Sequence, residues 1–381
     1  MQMAFCLFKY FPYGGLQRDF LMFYREAIAR GHQVRVYCIS WQGEKPSGLD
    51  LNIVPARGIT NPARNQKYSE YVIKHLQENP VDLIVGFNKM PGLDVYYAAD
   101  SCYEYKAREQ RGWLYRQMPR YKRYSQAEAE IFSCGKQPHV LLISETEKEK
   151  FVRCYNTEAH RISMLPPGIA KEHRPPANAE LIRQKFREEF NLADDQLLLL
   201  FVGSGFIVKG LDRAINAIAA LPDAIQEKVN LFVVGQDRQR RYEKLARKLD
   251  VSARLRFMGG RDDVGRFFLG ADCLIHPALS ESAGIVLLEA VVSGLPVIVT
   301  DTCGYAHHIK NAGAGIVLQS PFDSRALIDA IICAANGEIN QQWRKNALAY
   351  ADCQDLYSMH ARGVDIMEGI YAKRRTANAL S

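Results

Sequence analysis

A chain of 381 residues with 48% hydrophobic content can bury sizeable cores and points to two domains. Its formal charge of +7 is uneven: residues 1–166 carry 23 Lys and Arg against 17 Asp and Glu, the remainder 26 against 25, so an anionic partner is expected at the N-terminal half. Nine cysteines scattered from Cys6 to Cys353, with no CxxC pair or Cys/His cluster, exclude a disulfide framework and a zinc site, and no apolar run approaches the roughly 20 residues that cross a bilayer.

The opening MQMAFCLFKYF lacks the long apolar core of a signal peptide and reads as a first strand over Met3–Phe8, so a cytoplasmic location is expected. A glycine turn, YFPYGGLQRD, leads into a helix reaching about Arg30. Strands follow near Gln33–Ile39, Leu51–Ala56, Leu83–Phe87 and Val140–Ser144. MLPPGIAKEHRPP (164–176) has the proline density of a linker. A second cycle then places strands at Leu197–Val202, Asn230–Val234, Arg254–Met258, Cys273–His276 and Pro296–Thr300. Each is followed by glycine and a helical pattern, which argues for α/β layers with parallel sheets. Gln354–Lys373 reads as one more helix after that cycle is complete. The resulting division is 1–166, 167–353 and 354–381, with two doubly wound Rossmann-like domains whose strand ends face one cleft.

The stretch SESAGIVLLEAVVSGLPVIVT (280–300) sets Glu281 and Glu289 around an apolar run. With the helix beginning near Ala283 or Gly284, Glu281 lies just before it and Glu289 about 7 Å further along. Free backbone N–H groups at 283–286, including those of Ala283, Gly284 and Ile285, form an anion site at the positive end of the helix dipole. A nucleotide sugar uses all three features, with pyrophosphate on the tip, one carboxylate on the sugar and the other on the ribose. Otherwise the acids simply face solvent. In LLLLFVGSGFIVKGLDRAI, Lys209 stands in a glycine-rich turn and either reaches a diphosphate or is a solvated loop residue. The Walker and dinucleotide spacings are both absent there. Gly14 and Gly15 occupy a strand-to-helix turn with Asp19 one helical turn inside, and Asp100 follows a run of small and aromatic residues. The alternative readings are an ordinary turn with a first-turn aspartate and, favoured for Asp100, a loop-capping aspartate. No DxD occurs, so no metal is expected beside a diphosphate.

Residues 103–132 are the compositional oddity. Lys106, Arg108, Arg111, Arg116, Arg120, Lys122 and Arg123 are interleaved with Trp113, Tyr115 and Tyr121. Basic side chains mixed with interfacial aromatics suit an anionic membrane surface. The same pattern also fits a solvated basic hairpin or a nucleic-acid groove, but nucleic acid is not the partner expected.

These stretches resemble the family 4 retaining glycosyltransferases of the GT-B fold, whose hallmark is two glutamates separated by seven residues, here Glu281 and Glu289. More narrowly, KYFPYGGLQRDF, GFNKMPGLDVYYAAD, LPPGI, VVGQD, HPALSESAGIVLLEA, CGYAHHI and CQDLYS resemble the lipopolysaccharide core glucosyltransferase I group. The resemblance implies UDP-glucose as donor, a heptose of the lipopolysaccharide inner core as acceptor, and no cofactor; the alternatives are transfer of another hexose or N-acetylhexosamine from a UDP-sugar to a membrane glycolipid, or nucleotide-sugar binding with little transfer. It implies that Glu281 binds the transferred sugar, Glu289 the ribose, and Lys209 and the Ala283–Ile285 backbone the diphosphate. Gly14 and Gly15 would approach the donor across the cleft, Arg261 in GGRDDV would border the base, and Asp19 and Asp100 would line the acceptor side. It places 103–132 on the inner face of the bacterial inner membrane and sends the final helix back to the first domain. One departure is Val208, where relatives carry a second cation.

Overall fold

Buried on both faces, Met3, Ala4, Phe5 and Cys6 of β1 (Gln2–Cys6) require a sheet covered on each side. The computed structural model describes residues 1–12 and 14–380; Tyr13, inside the first glycine turn, and Ser381 lie outside them. It divides into two units, Met1–Gly168 with Ser358–Ser381, and Ile169–Tyr357.

In the first unit, β1 is followed by β2 (Lys9–Tyr10), α1 (Gly15–Ala29), β3 (Gln33–Cys38), β4 (Ser40–Trp41) and β5 (Asp50–Ile53). Next come α2 (Asn61–Glu78), β6 (Leu83–Gly86), β7 (Val95–Ala98), α3 (Tyr103–Gln110), α4 (Trp113–Gln117) and α5 (Pro119–Phe132). Strand β8 (His139–Leu142), α6 (Glu145–Tyr155) and β9 (Ile162–Met164) complete the cycle. Thr60 caps α2 and Ser144 caps α6, each accepting from the backbone N–H three residues on. The parallel sheet has the order β5-β3-β1-β6-β7-β8-β9, so the chain reverses direction between β1 and β6. At that switch point the Phe8 N–H donates to Asn88 Oδ1 at 2.7 Å.

The second unit contains α7 (Ala179–Glu189), β10 (Leu197–Val202), α8 (Leu211–Ala219), α9 (Asp223–Gln226), β11 (Val229–Val234) and α10 (Arg240–Lys248). They are followed by β12 (Leu255–Gly259), α11 (Val264–Gly270), β13 (Cys273–His276), α12 (Ile285–Val292) and β14 (Val297–Thr300). Helix α13 (Ala306–Ala312), β15 (Gly315–Leu318), α14 (Ser324–Ala335) and α15 (Gly337–Cys353) close it. Its parallel sheet, β12-β11-β10-β13-β14-β15, switches between β10 and β13.

Helix α16 (Met359–Leu380) belongs to the first unit, where it packs on α1. Arg30 donates to Asp365 at 2.7 Å and to Glu368 at 3.1 Å, and the Phe23 ring meets His360 edge-on. Strands β2, β4, β7, β9 and β15 escape the sequence reading. Strand β7 is four residues of unbroken burial, Val95 to Ala98, with no alternation to announce it.

Candidate active site

Two loops meet at the carboxyl end of the second sheet, beyond the β10/β13 switch point, where ligands of doubly wound sheets bind. One is the glycine turn after β10. Gly203 has φ +125°, and a Cβ there would stand 2.7 Å from Lys209 Cε, so its lack of a side chain lets Lys209 fold back over the turn. Gly210 has φ +74°, and a Cβ on it would meet the Pro277 carbonyl oxygen at 2.1 Å. The other loop runs from Pro277 to Gly284. The Leu279 N–H donates to Val208 O at 2.7 Å, Arg213 donates to Pro277 O at 3.1 Å, and the Thr300 and Thr302 hydroxyls donate to Ala278 O. Backbone bonds from Glu281 to Thr302 and from Tyr305 to Ala283 tie this loop to the one after β14.

The two loops bring Lys209 Nζ to 2.5 Å from Glu281 Oε2. Burial alone would raise the Glu281 pKa, but contacts from His276 and Lys209 outweigh it and hold the carboxyl at about 2. The His276 contact, at 3.7 Å, is longer than a hydrogen bond. Burial also drives the His276 pKa down, which keeps the ring neutral. Lys209 is therefore the charge that holds Glu281 ionised.

Gly284, at φ +84°, is the N-cap of α12, and no side chain caps this helix. Its first backbone N–H groups, at Ile285 and Val286, precede any intrahelical acceptor and form a ready anion site. Ala283 is buried in the turn, and Ser282 keeps a buried hydroxyl with no partner among the described residues. Glu289, one turn further in, is 8% exposed and lies 3.7 Å from His173 Nε2. The cation, the first carboxylate, the helix tip and the second carboxylate thus lie along one helix end. Sequence reasoning missed His276; its signal was a histidine closing an apolar strand, CLIH, at the end where ligands bind.

The other expected residues fall elsewhere. Arg261 forms a bidentate pair with Asp263 at 2.7 and 2.8 Å. Val208 is half exposed, and the nearby Arg213 is spent on carbonyls and on the Phe322 ring, so it does not replace the missing cation. In the first unit, a Cβ on Gly15 would meet nothing within 4 Å among the described residues, whereas one on Gly14 would strike Gln17. Asp19 is enclosed within the first unit. It is 1% exposed, accepts from the Tyr97 hydroxyl at 2.7 Å and faces His360 Nε2 at 3.6 Å, which makes it part of the α1–α16 packing. Asp100 is exposed and lines a cavity of about 920 Å³.

Residues 103–132 are ordered by buried carboxylates. Glu128, fully buried, accepts from Lys89 at 2.5 Å, from the Tyr103 and Glu104 N–H groups that open α3, and from the Tyr155 hydroxyl. The basic side chains then part company. Lys106, Arg120 and Arg123 line the Asp100 cavity, and Arg108 is paired to Glu104. Arg111 lies over the Tyr115 ring, near Trp113 and Leu114, which are each 65% exposed; Arg116 and Lys122 do not line the cavity. No described helix is long and apolar enough to cross a membrane, and no three His, Cys, Asp or Glu among the described residues gather as a metal site.

Two doubly wound parallel sheets in one chain, one carrying a cation, a carboxylate and an open helix end at its switch point, describe a glycosyltransferase of the GT-B class. Family models agree: Glycosyltransferase Family 4 matches residues 13–173 and Glycosyl transferases group 1 matches 182–349. Lipopolysaccharide glucosyltransferase WaaG of Escherichia coli K12 is 45% identical over 370 residues, which cover 97% of this chain and 99% of that one. The crystal structure of WaaG, a glycosyltransferase involved in lipopolysaccharide biosynthesis, matches with a TM-score of 0.91 over 96% of this chain and 99% of its own. The chain belongs to this family of lipopolysaccharide glucosyltransferases. HepE of Anabaena, solved with UDP-glucose, shares only the fold, at 15% identity and a TM-score of 0.75 over 97% of this chain and all of that one.

Proposed function

We propose that the protein transfers glucose from UDP-glucose to a heptose of the lipopolysaccharide inner core, with retention and without a metal. The observation that carries this reading is the Lys209–Glu281 pair set before the uncapped end of α12. In the resting site each group neutralises the other. When donor enters, Lys209 and the N–H groups of Ile285 and Val286 take the diphosphate, and Glu281 and the Ser282 hydroxyl take hydroxyls of the hexose. Glu289 takes the ribose. Arg261 borders the base and Gly15 leaves room for the donor in the first unit.

Retention follows from attack on the face that the diphosphate leaves. The heptose hydroxyl forms the new bond to the anomeric carbon as the sugar–phosphate bond breaks, and its proton passes to the departing phosphate oxygen. Lys209 and the α12 tip stabilise the charge on that oxygen. Asp19 is sealed by Tyr97, which argues against its acting as a covalent nucleophile. The α4 tip, with Trp113, Leu114, Arg111 and Arg116, rests on an anionic bilayer surface on the cytoplasmic side. Turnover of UDP-glucose with purified inner-core lipopolysaccharide, wild type beside Glu281→Ala, tests the reading. Transfer should collapse in the variant. Absence of both donor binding and transfer in the wild type overturns it.

A further inference from the structure

One cavity of the first unit is not made by the donor loops. It opens at the carboxyl ends of β1, β6 and β7, where Phe8 and Asn88 mark the switch point of that sheet. One wall is α2, presenting Asn65 and Gln66. The other is formed by α3 and α5, presenting Lys106, Arg120 and Arg123. At about 920 Å³ it has the room of a substrate pocket rather than of a buried-water site.

Its charges do not cancel. Lys89 is committed to Glu128, and Glu130 to Lys136. Glu70 accepts from Gln66. Lys106, Arg120 and Arg123 pair with no carboxylate among the described residues, although Arg120 lies 5.8 Å over the Tyr124 ring. Three cations therefore face two carboxylates, Asp100 and Glu70, and the surplus is positive. A bilayer surface cannot use a concave wall of Asn and Gln amides. A hydroxylated ring can, because each amide both donates and accepts. The tyrosine faces beside the cations suit a sugar as well.

We propose that this cavity binds an acidic sugar of the acceptor, with its anion on Arg120, Arg123 and Lys106 and its hydroxyls on Asp100, Asn65 and Asn88. The anion is a ring carboxylate or a sugar phosphate. This deepens the proposed function by giving the acceptor its own charged recognition site, and it rests on that reading for the acceptor's identity.

The test uses inner-core oligosaccharide freed of its acyl chains, so that no bilayer takes part. Arg120→Gln/Arg123→Gln is compared with wild type and with Lys67→Gln/Lys74→Gln, which removes the same charge from exposed positions of α2 outside the cavity. The acceptor KM of the cavity variant should rise on the order of 10- to 100-fold, with the donor KM unchanged and the control at wild-type values. Reducing the acceptor's carboxylates, or removing its phosphates, should raise the wild-type KM equally and leave the cavity variant indifferent; whichever treatment does so identifies the anion. Equal KM values in the cavity variant and the control overturn the proposal. Calorimetric binding of the same oligosaccharide separates this from the reaction itself. Binding lost only in the cavity variant upholds the site even without transfer, and equal binding in all three proteins overturns it.

Discussion

At the scale of single residues, the Lys209–Glu281 pair has a pH signature. The Glu281 carboxyl, at about 2, lies below its ordinary 4.5. The stabilisation it contributes is therefore complete above the ordinary value and is lost only as pH falls through about 2. An acid limb of kcat/KM at milder pH must then come from another group. Glu281→Gln should lower the plateau without moving that limb. In the proposed mechanism Lys209 meets the leaving diphosphate, so Lys209→Met should lower single-turnover rates at saturating UDP-glucose roughly 10²- to 10³-fold. A fall confined to donor affinity would mean that Lys209 serves binding alone. These two residues were legible as candidates from residue type and turn chemistry. Their pairing was not, because 72 positions of chain separate them and only the parallel order β10 beside β13 brings their loops together.

At the scale of elements, the basic segment is held from within. Glu128 joins the start of α3 to Lys89 and Tyr155, and Glu104 accepts from Tyr121 and Ser125 of α5. Breaking a buried ion pair leaves an uncompensated charge, so Glu128→Gln should cost about 3–5 kcal/mol in urea unfolding. It should also expose 103–132 to proteolysis; unchanged protection would show that the helices hold themselves. The aromatic and cationic pattern of this segment was plain in the sequence. Which cations line a cavity was not. Helical spacing fixes how the side chains of one helix are arranged about its axis, but the cavity exists only because α2 stands opposite α3 and α5.

At the scale of the whole molecule, the chain returns to its first unit through α16. Gly363 sits where a Cβ would stand 2.3 Å from the Phe23 ring. Gly363→Val should therefore overpack the α1–α16 contact, costing about 1–3 kcal/mol by chemical denaturation. An unchanged midpoint would mean that this contact has slack. The same contact explains Asp19. The family resemblance implies an acceptor-side role for it; the returning helix supplies His360 and β7 supplies Tyr97, and together they bury it.

By itself the sequence determined the α/β alternation, the duplicated organisation, the glycine turns after β1 and β10, and the two glutamates around α12. All of these are local: they follow from periodicity, from the backbone freedom of glycine and from the place of polar residues beside apolar runs. The tertiary structure alone decided that Lys209 and Glu281 neutralise each other, that Asp19 is sealed while Asp100 is open, and that three cations of the basic segment line a cavity. Each of those depends on which strands become neighbours in a parallel sheet. That choice is made by long crossover connections and by the burial of whole faces, and no short window of residues contains it.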